Sequence, residues 1–562
     1  MCFRERETFF PKAIINKYKI IIMNLRLSII LLFYAFLVSV NAQKNTISLN
    51  SGSKIISWKV KPQSELGANP TQIMSTSYNM SNWVSAVVPG TIFGSYVEAG
   101  LEEDPNFGDN AYKVDKSKYD QNFWYRAEFY TPEFSSEDIL WLNFEGVNRK
   151  GDIYLNGNRL GTLDGFMHRG KFNITPFINK NEKNILAVLV SWVGLPVPNH
   201  ASPTYISSAS WDWMPYVPGL LSGITDDVYL TTSREISLID PWIRSKVPSK
   251  DKALLELQLE LKNNTTTEQT GILKGIIQPG NIEFTKEITI GAEQQKSFKL
   301  KAKDYKQFEI KSPKLWWPNG YGDPNLYTCN ITYSVNGEVF DSKQITFGIR
   351  EYSYEYVDEV FRIKINGEPV YIKGGNWGMS EYMLRCRGEE YDLKIKLHKE
   401  MNMNMIRNWI GSVTDEEFYD ACDKYGIMVW DDFWLNSHKN LPDDVQAFNN
   451  NAIEKIKRLR NHPSIAVWCG ENEGYPLPPL NNWLAENVKY FDGGDRHYQA
   501  NSNSDGLSGS GPWGNYHPSW YFSKYPMAFG YKGRPGWGFR TEIGTAVFTT
   551  FDSFKKFMPQ KD

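Results

Sequence analysis

The sequence predicts a multidomain chain in which two β-sandwiches precede a (β/α) barrel. Three observations predict it: the length, a run of short alternating strands through the first half, and a change to strand–helix alternation after about residue 353. At 562 residues the chain exceeds what one hydrophobic core supports, and this size suggests about three domains. A formal net charge of −2 leaves no electrostatic footprint for nucleic acid.

The first β unit spans 43–235. Trp124-Tyr125-Arg126-Ala127-Glu128-Phe129 alternates, and Asp152 to Gly157 reads as a strand entering an Asn-Gly hairpin turn. No long helical period interrupts it, which predicts a β-sandwich. The second unit, 236–352, has the length of an immunoglobulin-like sandwich. In it Leu255, Leu257, Leu259 and Leu261 alternate with polar residues, a strand with one wet face.

From 353 to 562 strand-like runs alternate with helical ones. Pro369 to Lys373 reads as a strand, and Leu393, Leu397 and Met401 share a helical face. Met403 to Asn408 is a strand, and Thr414-x-x-Glu417 reads as a capping box, with Phe418, Cys422 and Tyr425 at helical spacing before Gly426. Ile427 to Trp430 is a strand, Val445 to Leu459 an amphipathic helix, and Ser464 to Trp468 a further strand. Repeated strand–helix units predict a parallel sheet closed as a (β/α) barrel.

The N-terminus carries an export signal. Met23-Asn24-Leu25-Arg26 opens a short basic region, Ser28 to Val40 is almost wholly apolar, and Val40-Asn41-Ala42 supplies a small-residue cleavage site. Residues 1–42 are read as a signal peptide with Met23 as the candidate true start, because the apolar run is too short for a span. The expected location is periplasmic or secreted, without a membrane anchor after cleavage. Cys329, Cys386, Cys422 and Cys469 are scattered, which predicts buried free thiols in place of a disulfide framework. The seven histidines lack ligand spacing, so neither a catalytic metal nor a cofactor is expected.

Catalytic groups of such barrels sit at the C-terminal ends of the strands. The four strand ends read here are Gly374 to Trp377, Arg407 to Trp409, Asp431 to Trp434 and Gly470 to Glu473. They combine amides, carboxylates and Trp, a mixture suited to sugar hydroxyls and C–H faces. With 19 Trp in the chain, each either fills a β-rich core or offers a stacking face. Retaining glycoside hydrolysis needs two carboxyls about 5–5.5 Å apart, an acid/base and a nucleophile. Glu473 is one candidate, and Glu542, within Phe539-Arg540-Thr541-Glu542-Ile543-Gly544, is the second.

Arg460-Asn461-His462-Pro463-Ser464-Ile465, followed by Trp468 and Asn472-Glu473, resembles the acid/base signature of glycoside hydrolase family 2, particularly its β-mannosidase and exo-β-glucosaminidase branch. Phe539 to Gly544 is similar to the nucleophile signature of that family. Phe144-Glu145-Gly146-Val147-Asn148 with Asn156-Gly157 resembles its sugar-binding jelly roll, and Trp211-Asp212-Trp213 and Leu315-Trp316-Trp317-Pro318 resemble other marks of the branch.

The resemblance implies a retaining, exo-acting β-glycosidase, an O-glycosyl hydrolase acting on oligo- or polysaccharide-derived substrates. Glu473 is then the acid/base, Glu542 the nucleophile and Asn472 the partner of the 2-substituent. Tyr516 would orient the nucleophile, and Arg407 would hold it ionised. Asn376, Trp377, Trp409, Asp432 and Trp434 are subsite candidates, each also readable as rim packing or a loop cap. Trp211 and Asp212 would reach the pocket from the jelly roll. Glu471 either tunes the acid by like-charge repulsion or faces solvent. An amine-bearing sugar would call on Glu471 or Asp432, and a uronate on Arg385 or Arg387.

Family 2 nucleophiles sit on the seventh barrel strand, and the sequence ends about 20 residues after Glu542. The expectation is therefore a (β/α)8 barrel truncated before its last strand. The alternative function is a catalytically impaired carbohydrate-binding remnant. The sugar and the oligomeric state stay open.

Overall fold

The computed structural model describes residues 46–66, 70–192, 209–211, 214–378, 381, 383–436, 441–513, 517, 519, 538–544 and 549–561. The expected signal segment 1–42 lies outside them.

Phe123–Tyr130 is central to a six-stranded antiparallel sheet ordered Val84–Ser85, Ile56–Pro62, Phe123–Tyr130, Lys183–Ser191, Val147–Leu155, Asn158–Gly165. Its alternation sends Phe123, Tyr125, Ala127 and Phe129 toward Leu140, Leu142, Phe144 and Leu230 of a second, four-stranded sheet. Trp124 packs on the opposite face against Ile73, Trp83 and Ile185, so this strand is covered on both sides. The Asn-Gly turn forms as expected: Asn156 and Gly157 take φ of +48° and +85°, the left-handed pair that matches strand twist in a tight hairpin.

The second sandwich begins at Ile236–Ser249, which pairs with Lys252–Asn263. Leu255, Leu257, Leu259 and Leu261 are buried and share a core with Leu273, Ile277, Phe284 and Ile331 of the opposing sheet. Cys329, Cys386, Cys422 and Cys469 are free and buried, as expected.

The third region supplies barrel units labelled here β1 (Gly374–Trp377), α1 (Glu389–Glu400), β2 (Met405–Asn408), α2 (Glu416–Tyr425), β3 (Met428–Asp432), α3 (Val445–Leu459), β4 (Ile465–Glu471), α4 (Leu480–Phe491), β5 (His497–Asn501), β6 (Ser510–Trp513) and β7 (Glu542–Gly544). Strands β1 to β5 form one parallel sheet, and β6 pairs with β7 in parallel. Among the described residues the barrel therefore shows seven strands.

Two local expectations are corrected. The first barrel strand is Gly374–Trp377 itself, while Pro369 belongs to a two-residue edge strand. Glycine permits the β1–β2 contact, since a Cβ on Gly374 would lie 2.0 Å from the Met405 carbonyl oxygen. The capping box at Thr414 does not form, and α2 has Asp415 at its N-cap without a side-chain bond. Asp415 instead accepts from the Tyr391 hydroxyl at 2.6 Å, and Glu417 accepts from Arg387 at 2.9 Å. Leu393, Leu397 and Met401 do share one face along α1, and that face is exposed, while Tyr391 and Ile395 are the buried residues of the helix.

Candidate active site

Strand alternation sorts the side chains at the barrel mouth into two layers. Met405, Met428, Trp430 and Val467 pack inward, with Phe361 and Ile363 of a hairpin below. Ile406, Val429 and Trp468 pack outward against α2 and α3. The neighbouring Asp431 and Asp432 thus serve different layers. Asp431 meets Tyr419, Asn408 and Lys455 on the helix side, and Asp432 meets Arg407 inside.

Arg407 is the hub. Its Nη1 donates to Glu542 Oε1 at 2.6 Å, and its Nη2 donates to Asp432 Oδ2 and Asn472 Oδ1, each at 2.7 Å. Asp432 is filled from within the protein, taking Arg407 Nε at 3.1 Å, the Trp430 indole at 3.0 Å and the Ile410 amide at 2.9 Å. Burial opposes the charge of Arg407, and Asp432 and Glu542 overcome it, raising its pKa. Burial raises the pKa of Glu542; Arg407 pulls it down, while the charges of Glu473 and Asp432 push it up. The charge of Glu473 acting on Glu542 places the two glutamates in one electrostatic site.

Glu473 is held from the other side. Its backbone amide donates to the Ser502 hydroxyl at 2.9 Å, and the Ser510 hydroxyl donates to its Oε1. Ser510 on β6 is the register partner of Glu542 on β7, so one residue touches the acid/base candidate and flanks the nucleophile candidate. Asn472 is fixed by Arg407 and by its own donation to Asn436 Oδ1 at 2.7 Å. Ser502, Ser510 and Asn436 were missed by sequence reasoning, because isolated serines and amides carry no spacing signal. Backbone strain marks the same rim: Ile410, Trp434 and Glu473, which follow β2, β3 and β4, take φ of +47°, +40° and +57°. Non-glycine residues persist there only when the surroundings over-determine them, and they cluster at functional sites.

The remaining candidates divide. Asn376 is exposed and lies in register with Arg407, on the same inward face of the sheet. Trp377, Trp409 and Trp434 are corrected to packing positions. Trp377 turns outward, 5.7 Å from the Phe418 ring. Trp409 is buried beside Ile410. Trp434 is wholly buried, its ring edge-on to Phe166 of the first sandwich at 5.1 Å. Glu471 is buried, not solvent-facing. Arg387 is committed to Asp227 and Glu417, and Arg385 pairs with Glu381 and Asp104. Trp211 pairs with Met214 in a hairpin, but its side chain, Asp212 and Tyr516 lie outside the described residues. A cavity of about 730 Å³ opens beside the centre. Arg407 and Thr541 line it and the two glutamates do not, so it lies to one side of the carboxylate pair.

Two glutamates at barrel strand ends, one paired with a buried arginine that also holds the amide preceding the other, and two β-sandwiches ahead of the barrel define a glycoside-hydrolase type of barrel protein. The domain models agree: "Glycosyl hydrolase 2 galactose-binding domain-like" matches 72–225, "Glycosyl hydrolases family 2" matches 236–350, and "Glycosyl hydrolases family 2, TIM barrel domain" matches 357–496. The chain belongs to glycoside hydrolase family 2 and is close to its β-mannosidases and exo-β-glucosaminidases.

Among its relatives, the mannosylglycoprotein endo-β-mannosidase of Lilium longiflorum is 31% identical over 481 residues, 77% of this chain and 49% of that protein. The exo-β-D-glucosaminidase of Streptomyces avermitilis is 23% identical over 548 residues, 91% of this chain and 58% of that protein. The β-D-mannosidase structure from Dictyoglomus thermophilum matches with a TM-score of 0.72 at 25% identity, covering 92% of this chain and 65% of that one. The Amycolatopsis orientalis exo-chitosanase matches in fold with a TM-score of 0.78 at 20% identity, covering 92% and 60%. The chain spans about half the length of the first of these curated relatives and under two thirds of the second.

Proposed function

We propose that this protein is a retaining, exo-acting β-glycosidase that removes terminal β-linked sugars from oligo- or polysaccharides. The observation that carries the reading is the Arg407 bridge, which ties Glu542 to Asn472, the residue before Glu473. In the first step Glu542 attacks the anomeric carbon, the glycosidic bond breaks, and Glu473 gives its proton to the leaving oxygen. In the second, Glu473 takes a proton from water, the water oxygen attacks the anomeric carbon, and Glu542 leaves as carboxylate. Asn472 faces the sugar's 2-substituent, a contact that strengthens as charge develops in the transition state. Asn376 is the remaining subsite candidate supported by exposure on the inward face.

A β-mannoside or β-glucosaminide is the favoured substrate class, in keeping with the names of the relatives. A uronate is disfavoured because Arg387 is occupied, and Asp432 is already saturated as a partner for a substrate amine. The apolar run Ser28 to Val40 supports export to the periplasm or beyond. No helix among the described residues is long and apolar enough to cross a membrane. The test is turnover of a panel of aryl β-mannosides, glucosaminides, galactosides and glucuronides by the wild type and by Glu542→Gln. Hydrolysis by the wild type, lost in the variant, supports the reading. Sugar binding without turnover on any member of the panel overturns it in favour of a carbohydrate-binding remnant.

A further inference from the structure

Helix α3 presents two faces. One docks on the first sandwich. Asn451 donates to the Asp164 carbonyl at 3.1 Å and accepts from the Met167 amide at 3.0 Å. Glu454 pairs with Arg169, and Arg458 pairs with Asp226, each at 2.8 Å. The other face turns Lys455 beneath the end of β3. Its ammonium is fully buried, donating to Asp431 Oδ1 at 2.7 Å and to the Asp432 carbonyl at 2.8 Å, and it sits 4.9 Å over the Trp434 ring.

A buried ammonium is retained only where partners compensate its lost hydration. Here the partners are the backbone carbonyl of Asp432, whose carboxylate holds Arg407, and the carboxylate of its strand neighbour Asp431. The backbone around them is also crowded: a Cβ on Gly411 would lie 2.3 Å from the Asp432 carbonyl oxygen and 2.9 Å from Lys455 Nζ. The strand end thus has little room to relax.

We propose that Lys455 is a positioning residue for the nucleophile. By clamping the Asp432 carbonyl and the Asp431 carboxylate, it fixes the strand end from which Asp432 presents both oxygens to Arg407. It thereby fixes how Arg407 meets Glu542. Lys455 does not touch the reacting atoms, and it acts through Asp432 and Arg407. Docking of α3 on the first sandwich ties that clamp to the accessory domain. The inference rests on the reading of Glu542 as nucleophile.

The test uses the whole chain and two variants. Lys455→Met alone leaves Asp431 buried without its cation, which endangers folding. The double variant Lys455→Met/Asp431→Asn removes both charges at nearly constant shape. The readouts are thermal stability, kcat and KM separately, and the acid limb of the kcat/KM profile. The charged groups facing Glu542 are Arg407, Glu473 and Asp432, all intact in the double variant.

The expected result for the folded double variant is a kcat lower by about tenfold or more, with KM within about twofold, as for a misplaced catalytic group. The acid limb moves to higher pH, because a poorly held Arg407 stabilises the Glu542 carboxylate less. A folded double variant with wild-type kcat and an unmoved acid limb overturns the inference and leaves the proposed function standing. A wild type without turnover on any aryl glycoside overturns both.

Discussion

Arg407 Nη1 lies 2.6 Å from Glu542 Oε1, inside a buried shell that also contains Asp432 and Asn472. One guanidinium therefore carries the charge balance of two carboxylates and the orientation of the amide beside Glu473. Arg407→Met leaves Asp432 and Glu542 as uncompensated neighbours, and one of them must take up a proton. The expected outcome is a loss of about 100-fold or more in kcat and an acid limb displaced to higher pH. Stopped assays of kcat/KM across pH check both. A variant with an unchanged acid limb contradicts the charge-balancing role.

Glu473 as acid/base predicts a leaving-group signature. Glu473→Ala loses about 10²–10⁴-fold on substrates with poor leaving groups. Aryl glycosides with strongly acidic phenols need no proton and keep their first step. Azide, needing no general base, then restores turnover and yields a β-glycosyl azide. Equal losses across all leaving groups, without azide rescue, would remove Glu473 from this role.

His462 links stability to pH. It sits 2.7 Å from Asp423, which also accepts from the Ser464 amide at 3.0 Å. Burial pulls its pKa down, but the Asp423 charge and hydrogen bond, with Asp420 and Glu416, push it up to about 9 from 6.5. A histidine pKa raised by folding stabilises fully below its unfolded value, and that contribution fades as pH rises through the folded one. The contribution, up to about 3 kcal/mol, is therefore present below pH 6.5 and lost as pH climbs through about 9. Thermal melts of the wild type and His462→Gln from pH 6 to 10 check it: the gap in Tm narrows as pH rises. A constant gap would mean that His462 acts by packing alone.

The junction between the first sandwich and the barrel predicts a sharp glycine requirement. Gly165 has φ +118°, and a Cβ there would lie 1.7 Å from Asn451 Nδ2. Gly165→Ala is expected to destabilise by about 2–4 kcal/mol through strain and overpacking. Gly157, with φ +85° and nothing within 4 Å of a Cβ, should cost only about 1–2 kcal/mol on the same change. Denaturant midpoints of the two variants rank the sites, and equal midpoints would contradict the crowding at Gly165.

Much of this architecture was legible because its signals are local. Val445–Leu459 was bounded at both ends by its apolar period, and Asn156-Gly157 announced its turn. The strand-end carboxylates were legible as a set, and the motifs around Glu473 and Glu542 selected two of them. What sequence could not supply were contacts between distant segments. Ser510 matters because β6 and β7 pair, and Lys455 because α3 packs beneath β3. Trp434 resembled a subsite residue on composition, but φ +40° and the ring of Phe166 hold it in the core. Thr414 satisfied a capping pattern, yet Asp415 and Glu417 were claimed by Tyr391 and Arg387.

Trapping the glycosyl-enzyme intermediate decides whether Glu542 is the nucleophile of a retaining enzyme. The protein is treated with 2-deoxy-2-fluoro β-mannosyl and β-glucosyl fluorides, digested, and analysed by mass spectrometry. The expected result is one fluoroglycosyl group esterified to Glu542, absent in Glu542→Gln. An adduct on another carboxylate, or turnover that inverts the anomeric configuration without an adduct, would contradict it.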